Sequence, residues 1–145
     1  MRRGGGKLMS KVWMFNPHAG GVKIPPATQE ATRKRISAYA EKHYAGKFTR
    51  IDVRFKGALC YIDAYKEPFA PKRFRSIGAE TRQEFIERLR NTPTHLVRLR
   101  HFSADSWSVA FYTYSHERYE PCCYHGGEWF GTPEQAFEIG ACYLD

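Results

Sequence analysis

No run of apolar residues in this chain approaches the roughly 20 that a membrane-spanning helix requires. The opening, Met1-Arg2-Arg3-Gly4-Gly5-Gly6-Lys7, leads into no long apolar segment, so neither secretion nor membrane insertion is expected. Cysteine is sparse as well. Cys60, Cys122, Cys123 and Cys142 are too few for a small fold that relies on bridges, and free thiols in a reducing cytoplasm are expected. Cys60 and Cys142 fall in apolar patterns that suit packing as small hydrophobes. Of the adjacent Cys122 and Cys123, one is expected to face the core and the other solvent.

Acidic residues are scarce at the start of the chain and basic ones at its end. Residues 1–50 hold 11 Lys and Arg against 2 Asp and Glu, residues 51–100 hold 11 against 6, and residues 101–145 hold 1 against 7. The segments therefore stand at +9, +5 and −6 within a net charge of +8. This layout suggests a dipolar surface with one face suited to polyanions.

With 42% hydrophobic and 15% aromatic residues, the 145-residue chain can bury one core, which excludes a disordered class. Residues 1–10 read as a flexible basic tail and 11–145 as a single domain, opening on a short apolar run at 11–15. Pro25-Pro26 presets a helix from Pro26 to Tyr44, closed by Gly46, with Ile36, Tyr39, Ala40, His43 and Tyr44 as its core stripe. Residues 48–65 alternate around Lys56-Gly57 as a hairpin. A loop of about thirteen residues carries Lys72, Arg73 and Arg75. The capping box Thr81 to Glu84 then opens a short helix. Strand patterns follow at 94–102, 107–115 and 119–124, and Thr132-Pro133 with Gln135 starts a last helix running to Leu144. The expected fold is an α+β domain in chain order α-β-β-α-β-β-β-α, with a mostly antiparallel sheet of about five strands and helices on one face. The other face would carry Arg50, Asp52, Arg54, Tyr61, Asp63, Tyr65, Arg98, Arg100, Tyr112 and Tyr114.

The stretches Phe55-Lys56-Gly57-Ala58-Leu59-Cys60-Tyr61-Ile62-Asp63-Ala64-Tyr65 and Phe130-Gly131-Thr132-Pro133-Glu134-Gln135-Ala136-Phe137 resemble those of small prokaryotic proteins with no assigned activity. That resemblance implies a prokaryotic cytoplasmic protein and carries over no site residue.

The expected function is a non-enzymatic binding module contacting nucleic acid or another acidic partner. Arg33, Lys34, Arg35, Lys72, Arg73 and Arg75 are the phosphate candidates, and Tyr61, Tyr65, Tyr112 and Tyr114 the stacking candidates. The first alternative is a small metal-dependent nuclease using Asp52, Asp63 and Glu67 beside Lys66, although the carboxylates fit no strict motif and can instead pair with Arg50 and Arg54. The second is a homo-oligomer associating through its aromatic face. His116, Cys122, Cys123 and His125 form the best metal-like cluster but lack ligand-motif spacing, so packing and turn roles are favoured and no metal or cofactor is expected. Gly4-Gly5-Gly6-Lys7 lacks the strand and the Ser/Thr of a phosphate loop.

Overall fold

A computed structural model of the chain describes residues 16–69 and 78–145. The glycine-rich start, the apolar run at 11–15 and the basic residues Lys72, Arg73 and Arg75 lie outside the described residues. Among the described residues the elements follow in the predicted order. They are α1 (Pro26–Tyr44), β1 (Arg50–Lys56), β2 (Leu59–Tyr65), α2 (Arg82–Arg90), β3 (Thr94–Ser103), β4 (Ser106–Thr113), β5 (Arg118–Cys122) and α3 (Pro133–Gly140). Every pairing is antiparallel and each strand lies beside its successor, giving the meander β1-β2-β3-β4-β5. None of the described helices is long and apolar enough to cross a membrane.

Local chemistry accounts for the element ends. Pro26 opens α1, where its missing N–H would have no helical partner anyway, and Gly46 follows the helix at φ +83°, a conformation open to glycine without strain. The N-termini of α2 and α3 each form a reciprocal capping box, Thr81 with Glu84 and Thr132 with Gln135. Thr32, Ile36 and Ala40 recur every fourth residue and are buried, which turns one stripe of α1 toward the sheet, while His43 stays exposed instead of extending that stripe. On α3, Ala136 and Phe137 are buried against the same core as Val53, Cys60, Ile62, Val97, Leu99, Trp107 and Val109. Helices α1 and α3 thus share one face of the sheet. Helix α2 contributes no buried residue and stands at the periphery.

The last helix stops sooner than its pattern implies. From Ala141 the chain tightens into a 3₁₀ turn to Leu144, in which residues three apart eclipse. Ala141 and Leu144 therefore take the buried positions, and Cys142, expected to pack, is exposed. Cys60 is buried, Cys122 half-buried and Cys123 exposed, and all four thiols are free.

A second departure matters more for function. The pairing of β2 with β3 shifts after Ile62↔Val97, so that Asp63 lies opposite His95 and Leu96 is the extra residue of a β-bulge. Leu96 and Val97, neighbours in sequence, are both 0% exposed on the helix-covered side. Strict alternation would have placed Leu96 beside Arg98 on the opposite face and turned His95 inward. Gly140 makes room for the bulge, since a Cβ there would lie 2.7 Å from Leu96 Cβ and 3.0 Å from its carbonyl carbon.

Candidate functional site

The basic run on α1 does not present three equivalent cations. Arg35 donates to both oxygens of Glu134 at 2.9 and 2.7 Å and to the Ala104 carbonyl at 3.2 Å, and it lies 2.8 Å from Asp105. It clamps α1 to α3 and to the β3–β4 turn. The hydrogen bond to Glu134, with burial opposing it and Asp105 adding to it, raises the Arg35 guanidinium above its ordinary value. Arg33 donates to the Val53 carbonyl at 3.2 Å and lies over the Phe55 ring. Lys34 is exposed with no ion pair among the described residues. The helix run is mostly committed to holding α1 on β1 and α3.

The face of the sheet that α1 and α3 leave uncovered has a different composition. Alternation along β1 and β2 brings Arg50, Asp52 and Arg54 beside Tyr61, Asp63 and Tyr65, with Arg54 opposite Tyr61 and Tyr61 opposite Arg98 in one cross-strand row. Arginine planes lie over the tyrosines: Arg50 over Tyr65 at 4.0 Å, Arg54 over Tyr61 at 5.1 Å and Arg98 over Tyr119 at 5.5 Å. The rings meet edge to face in a chain from Tyr61 to Tyr119, Tyr112 and Tyr114. All four tyrosines expected on this face are therefore present, joined by Tyr119, which β5 sets opposite Tyr112.

Arg98 and Arg100 stand two residues apart on β3, and neither has a carboxylate partner among the described residues. Arg100 donates to the Gly20 carbonyl at 2.8 Å, and burial followed by the charge of Arg98 lowers its guanidinium. His18, in the loop preceding α1, is lowered by burial and by both arginines, and its Nε2 is buried without a hydrogen-bond partner among the described residues. Trp129, half exposed, meets the His18 ring edge-on. Around Arg98 and Arg100, positive charge is thus left without a carboxylate counterion among the described residues.

At the centre of the face sits a buried acid. Asp63 is 3% exposed; one carboxylate oxygen accepts from Arg54 at 2.9 Å, and the other lies 2.8 Å from Nδ1 of His95. Burying an isolated carboxylate costs several kcal/mol, which two directed cationic or polar partners offset. An ionised carboxylate only accepts, so Nδ1 carries the proton of this contact, and in the neutral tautomer that this contact selects Nε2 is the acceptor. The His95 side chain is about one-third exposed, and Nε2 makes no hydrogen bond to a described residue. The ring is held from behind by Tyr112 at 4.8 Å, and the Tyr114 hydroxyl accepts from the His95 backbone N–H at 2.7 Å. Burial, with Asp63 adding to it, raises the Tyr119 hydroxyl well above the ordinary phenol range and keeps it neutral. Burial opposes the charge of Arg54 as well, but the hydrogen bond and charge of Asp63 outweigh it and leave Arg54 raised.

The acids considered for a metal site are dispersed among arginines. Asp52 lies 3.8 Å from Arg50, Asp63 is held as described, and Glu67 accepts from Arg90 at 2.9 Å. Lys66 donates to the Tyr143 carbonyl at 2.6 Å instead of facing them. His116 pairs with Glu120, and Cys122 turns toward the Val109 carbonyl. Among the described residues no group of three His, Cys, Asp or Glu side chains is arranged to hold a metal ion.

His95, Tyr119, His18 and Trp129 were not singled out from the sequence. The readable signal for His95 was Leu96, an apolar residue in the register of Arg98 and Arg100, whose burial requires the bulge. The chain matches no protein-family model, and comparison with curated proteins and with solved structures likewise finds no match.

Proposed function

We propose that this chain is a binding module for single-stranded nucleic acid, taking the strand across the sheet face that its helices leave uncovered. The observation that carries the reading is the row of arginines interleaved with aromatic rings there, with Arg98 and Arg100 lacking any carboxylate partner among the described residues. Phosphates neutralise those two charges and gain further contacts at Arg50 and Arg54. Tyr61, Tyr65 and Tyr119 already carry a guanidinium plane, so bases stack on the more open Tyr114 and Trp129, 45% and 50% exposed, and on the guanidinium planes themselves. Unpaired bases have free faces to lay on these rings and guanidinium planes, which favours single strands over a duplex whose bases are stacked inside.

Fluorescence anisotropy with labelled single-stranded RNA, single-stranded DNA and duplex DNA over a salt series tests this reading. Both single strands should bind more tightly than duplex, with affinity falling as salt rises. Arg98→Glu with Arg100→Glu should weaken binding and flatten the logarithmic salt slope by roughly 1.4, about 0.7 for each lost phosphate contact. Absence of binding at low salt, or a slope unchanged by the double reversal, would overturn it. Binding of an acidic protein in place of the oligonucleotides would assign the same face to a different partner.

A further inference from the structure

The arginine–tyrosine face would bind a strand with or without the unit at its centre, and that unit is more than binding requires. A buried carboxylate orients an imidazole by one nitrogen, leaves the other nitrogen facing outward, and is itself fixed by a guanidinium. Imidazole, carboxylate and arginine are a general base, the group that sets its tautomer, and a cation able to meet developing negative charge. We infer that the Asp63–His95–Arg54 cluster cleaves single-stranded RNA without a metal ion, by attack of the ribose 2′-hydroxyl on its own 3′-phosphate. The inference rests on the reading of this face as a nucleic-acid surface.

His95 Nε2 takes the proton of the 2′-hydroxyl as the 2′-oxygen forms its bond to phosphorus. The bond from phosphorus to the 5′-oxygen of the next nucleotide breaks, and that oxygen takes a proton from water. The resulting hydroxide takes the proton back from the His95 imidazolium. The products are a 2′,3′-cyclic phosphate and a free 5′-hydroxyl, with no net change in charge or oxidation state. Arg54 and Arg98 lie in the cross-strand row beside the Asp63–His95 pair, where they stabilise the extra charge on the phosphoryl oxygens during attack.

Asp63 acts through His95 and is a positioning residue. In Asp63→Asn the side-chain oxygen would still accept from Arg54, which turns the amide NH2 toward Nδ1. The imidazole proton is then forced onto Nε2, and the base is lost while shape is retained.

The test uses the full chain with a labelled single-stranded RNA and its all-deoxy counterpart in buffer containing EDTA. RNA should be cut to fragments ending in 2′,3′-cyclic phosphate, while the deoxy strand is bound and left intact because it has no 2′-hydroxyl. His95→Gln should still bind RNA but cut it about 10²- to 10⁴-fold more slowly, the usual contribution of a general base. Asp63→Asn should lower kcat far more than it changes KM and abolish the acid limb of the pH–rate profile, which loss of packing alone would not do. Circular dichroism melts confirm that each variant is folded. RNA that is bound but remains intact in EDTA would overturn the inference and leave the binding module standing. Equal cleavage by His95→Gln would overturn it as well. Failure of both strands to bind would remove the binding reading and this inference together.

Discussion

The two faces of the sheet are made of alternate residues from the same five strands, yet they resolve their charges in opposite ways. On the helix-covered side the ionic groups are closed into pairs around the apolar core. Arg35 is shared by Glu134 and Asp105, and the hydroxyls of Tyr39 and Tyr44 both donate to Glu138, the first at 2.5 Å. On the uncovered side Asp63 is fully engaged, while burial and then Arg98 lower the neighbouring Arg100 guanidinium and neither arginine has a carboxylate partner among the described residues. The first arrangement serves folding: Arg35, Glu134 and Glu138 find their partners within the chain, and aromatic rings such as Phe137 fill the space between the helices. The second leaves interaction energy available to something outside the chain.

The most damaging change to this contrast should be Phe137→Ala. It removes a fully buried ring between Tyr39 and Tyr44, and a loss of about 3–5 kcal/mol is expected in urea unfolding. Both faces should fail together, because Phe137 belongs to the core cluster on which the whole sheet rests.

Gly140→Ala probes the link between the faces. Its added methyl meets Leu96 at the bulge, where backbone cannot easily yield, so about 1–3 kcal/mol of destabilisation is expected. The His95 ring resonances should move in the same NMR spectra in which those of Arg98 stay in place. A His95 signal that does not respond would show the bulge to be independent of α3.

Arg54→Met removes one partner of the buried Asp63 carboxylate from a half-exposed position. The loss should be about 1–2 kcal/mol, smaller than for a fully buried pair because water can replace the guanidinium. Thermal denaturation of Arg54→Met alone and combined with Asp63→Asn would reveal the coupling.

The Tyr39–Tyr44–Glu138 contact predicts two edges in stability against pH. The hydrogen bonds from Tyr39 and then Tyr44 hold the Glu138 carboxyl below its ordinary 4.5. Its contribution is therefore complete above about pH 4.5 and is lost as pH falls through the lowered folded value. The hydrogen bond to Glu138, followed by burial, pushes the Tyr39 hydroxyl up from 10.0 to about 12. That contribution is present below pH 10 and lost as pH rises toward 12. Tm measured across pH should fall at both ends, Glu138→Gln should flatten both edges, and Tyr39→Phe should chiefly flatten the alkaline one.

The smallest effect on stability sharpens the comparison most. Arg98→Gln relieves repulsion at Arg100 and should leave the urea midpoint unchanged or raise it by a few tenths of a kcal/mol, while weakening nucleic-acid binding. A large destabilisation would mean that Arg98 is a structural residue like Arg35, and that the two faces differ less than their ion pairs imply.

Local signals made much of the fold readable in advance. Two prolines and a glycine bounded α1, two capping boxes started α2 and α3, and alternation through Ile51, Val53 and Phe55 separated the faces of β1. Each depends on a few adjacent residues. The composition of the candidate site was legible for the same reason, since Tyr61, Tyr65, Tyr112 and Tyr114 follow from strand phase alone. Whether a cation on the surface is free or engaged was not legible. Arg35 meets Glu134 across 99 residues of sequence, and Arg33 reaches the backbone of β1.

The amino-acid sequence by itself determined which elements form, where they begin and which residues share a strand face, because hydrogen-bonding caps and side-chain periodicity act over a few residues. Only the tertiary structure decided that Leu96 turns inward against Gly140, that His95 consequently meets Asp63, and that Arg98 and Arg100 face outward without a partner acid among the described residues. Those outcomes depend on one bulge and on close packing between segments far apart in the chain, where a shift of a single residue exchanges the two faces of a strand.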